Sequence, residues 1–61
     1  MSKLQVLATA DGWEVGISDQ GTVYLLHDGI RIDLESPYDA LRCIPYREVR
    51  LSIKQQLYDV E

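Results

Sequence analysis

Histidine, cysteine, serine and the carboxylates most often carry proton transfer, nucleophilic attack and metal binding, and this chain uses the first two sparingly. It has one histidine, His27, and one cysteine, Cys43. A cysteine or serine nucleophile needs a base within hydrogen-bonding reach. His27 directly precedes the pair Asp28-Gly29, whereas Cys43 falls in a later segment closed by Pro45. Ser18 alternates onto the strand face opposite to that of His27, so neither residue pairs with it by spacing. One histidine and one cysteine also give no zinc spacing and no internal disulfide. Cys43 reads as a buried small apolar residue near a helix end, and His27 as a half-buried rim residue.

The 10 acidic residues are spread along the chain. Asp11, Asp19 and Asp28 belong to Asp-Gly or Asp-Gln-Gly sequences, where turn geometry accounts for them. Asp33 and Glu35 share a strand face and could meet a divalent cation, yet the Asp-x-Asp-x-Asp-Gly spacing of a calcium loop is missing. Gly12, Gly16, Gly21 and Gly29 are spaced by hairpins and precede no helix, so they build no phosphate cradle. The expectation is a protein with no catalytic residue, no metal and no cofactor.

Charge points in two directions. The chain carries a formal −4. Residues 1–39 hold 7 acids and 2 bases, while residues 40–61 hold 3 acids and 4 bases, so the C-terminal segment is the basic side. Arg47, Arg50 and Lys54 follow 3-4 spacing, and with Arg42 they form the stripe a nucleic-acid binder would use. The acidic balance and the lack of a recognisable nucleic-acid motif make that the alternative reading. The acids of the N-terminal part could instead draw in a basic partner protein.

The elements that must position these residues follow from three turn signals. Asp11-Gly12 and Asp28-Gly29 suit two-residue type I′ hairpins, and Asp19-Gln20-Gly21 suits a three-residue loop with glycine in the left-handed position. Counting outward from each turn pairs Ala10 with Trp13, Trp13 with His27 and His27 with Ile30. The next rows are Ala8-Val15-Leu25-Ile32 and Val6-Ile17-Val23-Leu34, with Leu4 at one edge. Each turn, chosen by its own chemistry, aligns the same apolar face, and a one-residue slip would invert a strand. The other face is mostly polar, including Glu14, Ser18, Arg31 and Asp33. Leu7, Tyr24 and Leu26 are its apolar members, in adjacent rows, and Gly16 lies beside Tyr24, whose ring would shield the bare backbone.

Ser36-Pro37-Tyr38-Asp39 opens a helix, with Ser at the N-cap and Pro at the first helical position, and Pro45 ends it near Cys43. Beyond Pro45, Tyr46, Val49, Ile53, Leu57 and Val60 follow a helical period, while Val49, Leu51 and Ile53 also alternate as a strand would. A second helix is preferred because the sheet needs a cover, and a fifth strand closing a partial barrel is the alternative.

With 61 residues the chain makes one small domain over residues 1–61, near the lower size limit for independent folding. A core of that size supplies only about 3–5 kcal/mol, which association into a homodimer would supplement. The expected edges are Leu4–Thr9 and Ile30–Glu35, with Lys3 and the Asp33/Glu35 pair as weak guards. Neither a signal peptide nor a long apolar span is recognisable, so the reading is a complete cytoplasmic protein. The fold expected is α+β, a four-stranded antiparallel meander followed by a short helix and a C-terminal helix. The function expected is non-catalytic binding, as an accessory factor or inhibitor of the kind viral or mobile genomes carry. It would contact a larger protein or nucleoprotein through Leu7, Tyr24, Leu26, Glu14 and Asp33, with Arg42, Arg47, Arg50 and Lys54 reserved for nucleic acid. No membrane contact is expected.

Overall fold

The computed structural model describes residues 4–60. Four strands follow in order, β1 (Gln5–Ala10), β2 (Trp13–Ile17), β3 (Val23–His27) and β4 (Ile30–Leu34). A 3-10 turn (Pro37–Asp39) leads into α1 (Ala40–Cys43), and α2 (Arg47–Val60) completes the chain. The sheet is an open antiparallel meander in the order β1-β2-β3-β4, as the turn spacing predicts. The C-terminal segment is helix, not a fifth strand, and no barrel closes.

The turn chemistry is the expected one. Asp11 and Gly12 take φ 48 and 83, and Asp28 and Gly29 take φ 53 and 79, the paired positive values of a type I′ turn. In the middle loop Gly21 has φ 85, and Ser18 and Thr22 close it through a 2.8 Å bond from the Ser18 N–H to the Thr22 carbonyl. Ser18 is buried here instead of solvent-facing, because its hydroxyl accepts the N–H groups of Gln20 at 3.3 Å and Thr22 at 3.1 Å.

The β2/β3 and β3/β4 registers are those counted from the turns, with Trp13 opposite His27, Val15 opposite Leu25 and Leu25 opposite Ile32. β1 departs from expectation at its far end. Ala10 and Ala8 pair with Trp13 and Val15 as counted, but a bulge between Val6 and Ala8 then sets Val6 opposite Gly16 and Gln5 opposite Ile17. The phase of β1 inverts there, so Leu7 turns inward to pack against the core and Val6 turns outward, 47% exposed. The bulge puts one extra residue into β1, and that residue moves the positions before it to the other face. The bulge lies beside Gly16, where a Cβ would meet the Gln5 carbonyl oxygen at 2.5 Å and the Tyr24 hydroxyl at 2.7 Å.

Val49, Ile53 and Leu57 form the buried stripe of α2, at the four-residue spacing of a helix face. They close over Ala8, Val15 and Leu25 of the sheet, with Ala40 and Ile44 of the α1 region filling the same core. The expected cap is at the 3-10 turn that leads into α1, where the Ser36 hydroxyl accepts the Tyr38 N–H at 3.3 Å and Pro37 opens the turn. Lys3, expected to guard an edge, lies outside the described residues, as does the side chain of Val60.

The cover is incomplete. Ile30 and Ile32 belong to the inner-face rows by register, yet they are 66% and 45% exposed. The helices therefore roof β1 to β3 and leave β4 open at Ile30 and Ile32, while Leu34 at its end packs against the core.

Candidate functional site

Cross-strand pairing sets Trp13 of β2 directly opposite His27 of β3, in the row next to two hairpin tips. Their rings stack with centroids 3.7 Å apart and planes 9° from parallel. Pro45 ends the short helix, and the chain re-enters helix at Arg47, which leaves Tyr46 at the mouth of α2. Its carbonyl accepts the Arg50 N–H at 3.0 Å, the first bond of that helix. The Tyr46 ring meets Trp13 edge-on at 6.5 Å and stays 59% exposed. Between the sheet and the start of α2 these rings border a cleft of about 580 Å³, with Asp11 on one side and Arg47 and Glu48 on the other. A second concavity of about 570 Å³ adjoins it around the hairpin tips, sharing Asp11 and Trp13 and adding Glu14, Leu26 and Asp28. Trp13 thus borders both.

The outer-face group expected to bind a partner is organised differently. Leu7 is turned into the core by the bulge, and Tyr24 is buried at 2% exposure, so Leu7, Tyr24 and Leu26 form no continuous apolar surface. Tyr24 lies over Gly16, as the strand spacing suggests, and its hydroxyl donates to Glu14 Oε2 at 2.7 Å. The Arg31 guanidinium sits 5.3 Å from the centre of the same ring, and its Nε reaches Asp33 Oδ1 at 3.3 Å. Burial, then the hydrogen bond and negative charge of Glu14, push the Tyr24 hydroxyl up to about 12, and Arg31 opposes them weakly. Glu14, Tyr24, Arg31 and Asp33 therefore form a polar cluster that closes over the sheet.

The basic residues are divided among separate tasks. Arg42 stands on α1, and Arg47 lines the aromatic cleft. Arg50 donates to the Ile44 carbonyl at 2.9 Å, tying α2 to the end of the short helix. Lys54 lies 5.9 Å over the Tyr58 ring, which itself tilts against Tyr38 at 5.8 Å. Among the described residues, no three His, Cys, Asp or Glu side chains converge on a point where a metal could sit. Cys43 is exposed at the end of α1 and not buried as expected, because Ala40 and Ile44 are the residues of this segment that face the core. No described helix is long and apolar enough to cross a membrane.

Comparison of the chain with protein-family models, curated proteins and solved structures finds no match in any of the three. Fold and site together define a small α+β domain with an open aromatic cleft at one end of its sheet. Sequence reasoning missed Tyr46 as a partner of Trp13, since no local spacing says where the start of α2 lands on the sheet. The available signal was the placement of Trp13 and His27 in one row at the open end.

Proposed function

We propose that this chain is a non-catalytic binding protein, an accessory factor or inhibitor of a larger protein. It grips an exposed basic segment of that partner in the Trp13–Tyr46 cleft. The observation that carries this reading is the pairing of a stacked Trp13 and His27 with a solvent-exposed Tyr46 around one opening. Aromatic side chains bring large contact area at low entropic cost, and few other residue types anchor protein contacts as strongly. A lysine or arginine entering there would lie against aromatic rings, with the carboxylates of Asp11 and Glu48 on the cleft walls. Arg47 opposes such a guest, but Asp28 and Glu14 in the adjoining concavity add further negative charge. The overall −4 acts in the same direction at long range.

The test is an array of immobilised peptides, basic, acidic and neutral, probed with the labelled protein. Basic peptides should retain it, and Tyr46→Ala should abolish retention while leaving the circular dichroism unchanged. Retention unaffected by Tyr46→Ala, or no preference for basic peptides, would overturn the proposal. Salt-sensitive binding to a labelled RNA or DNA oligonucleotide, lost on substitution of Arg42 and Arg47, would replace it with the nucleic-acid reading.

A further inference from the structure

The two edges of the sheet are treated differently. On the β1 edge, the Gln56 side chain accepts the Thr9 N–H at 3.1 Å and donates to the Thr9 carbonyl at 2.8 Å, occupying both backbone groups that another strand would use. The bulge at Leu7 interrupts that edge further. Among the described residues β4 has neither device, and it carries the exposed Ile30 and Ile32 beside its open edge. We infer that β4 pairs with β4 of a second copy of this chain, antiparallel about a two-fold axis through Ile32, to form a continuous eight-stranded sheet.

The register follows from β4 itself, Ile30-Arg31-Ile32-Asp33-Leu34. Paired residues in an antiparallel ladder share a face, so only axes that pass through a residue keep the isoleucines together. An axis through Arg31 would set Arg31 against its own copy, and one through Asp33 would oppose two carboxylates. The axis through Ile32 sets Arg31 opposite the partner copy's Asp33 in both directions, with Ile30 opposite Leu34 and Ile32 opposite itself. Backbone phase agrees. A type I′ loop is closed by a hydrogen-bonded pair, here His27 with Ile30, so Ile30, Ile32 and Leu34 bond inward to β3. The N–H and C=O groups of Arg31 and Asp33 then point outward, and the proposed register pairs those two residues. The same phase holds at the other edge, where Thr9 lies one residue before the loop-flanking Ala10 and its outward groups meet Gln56.

Such a two-fold contact is self-complementary and closes at two copies. It keeps both sets of helices on one side of the joined sheet and covers the isoleucines that one copy leaves in water. A strand-to-strand contact of this length lies at the small end of specific interfaces, so the dimer is concentration-dependent. It is independent of the aromatic cleft, whose peptide binding the substitutions below should leave in place.

Sedimentation equilibrium tests the pairing. From about 10 μM to about 1 mM the mean mass should rise from 7.0 kDa toward twice that value. Ile32→Lys, which places two like charges at the axis, and Arg31→Asp, which opposes carboxylates, should each hold the mass at that of one copy. Asp33→Arg should do the same by opposing guanidinium groups. An equimolar mixture of the Arg31→Asp and Asp33→Arg chains should associate, because every opposed pair is then oppositely charged. That restoration separates a broken contact from a misfolded chain. A wild-type chain that stays at single mass throughout, a dimer that survives Ile32→Lys and Arg31→Asp, or a mixture no more associated than its components would each overturn the inference.

Discussion

Gln56 clasps Thr9 by both backbone groups, at 3.1 Å from the N–H and 2.8 Å to the carbonyl, so one carboxamide on α2 stands where a fifth strand would lie. This relationship joins residues 47 apart in sequence and docks the helix to the edge of the sheet it covers. It also makes β1 the protected edge and β4 the available one.

Replacing Gln56 with alanine should remove both bonds and lower the unfolding free energy by about 1–2 kcal/mol, since each exposed hydrogen bond contributes about 0.5–1.5 kcal/mol net. Chemical denaturation should show an earlier midpoint with an unchanged slope. Gln56→Glu should lose stability as well, because the carboxylate cannot donate to the Thr9 carbonyl.

Gly16→Ala tests the packing of Tyr24 on the sheet. The added methyl would lie 2.5 Å from the Gln5 carbonyl oxygen and 2.7 Å from the Tyr24 hydroxyl, and the first of these is backbone that cannot swing away. A loss of about 1–3 kcal/mol is expected, read as a lower melting temperature. The cost is steric, as Gly16 has no positive φ to relax.

Tyr24 should ionise near pH 12 instead of near 10, measurable as the difference between ultraviolet pH titrations of the wild type and of Tyr24→Phe. The neutral hydroxyl is favoured in the folded state, so its contribution to stability is complete below about pH 10. It is lost as pH rises through 12, because the unfolded chain releases the proton first. Glu14→Gln should bring the ionisation down without returning it to 10, since burial, the leading cause, persists.

Ile53→Ala should cost about 2–5 kcal/mol, comparable with the whole stability of so small a domain, and leave much of the population unfolded. Leu51→Ala, on the exposed side of α2, should change the melting curve little. Comparable losses at both positions would contradict the helical phase of this segment.

Much of this architecture is legible in the residues because turn chemistry is local. Asp-Gly at 11–12 and 28–29 and Gly21 each specify a backbone conformation, and a period of two carries that choice along each strand. The same counting fails at Leu7, where a bulge between Val6 and Ala8 inverts the phase of β1 and no turn residue marks it. The expected patch of Leu7, Tyr24 and Leu26 rested on unbroken alternation, so the bulge dismantles it. Residues 46–58 satisfied both periods locally. The choice of helix came from the sheet's need for cover, a tertiary reason, and the Gln56 clasp that locks it has no local signature. The cleft was illegible for the same cause, since Tyr46 reaches Trp13 only after α2 has docked.

Trp13 is the sole tryptophan of the chain, so its emission reports on the cleft without labelling. The most direct measurement is a fluorescence titration with a short capped peptide carrying a central arginine, beside the same peptide with glutamine in that place. The arginine peptide should give a saturable change at least about tenfold tighter than the glutamine peptide, a difference of about 1.4 kcal/mol, and Tyr46→Ala should abolish it. Equal affinity for both peptides, or an unchanged response in Tyr46→Ala, would contradict a cleft built to hold a basic segment of a partner protein.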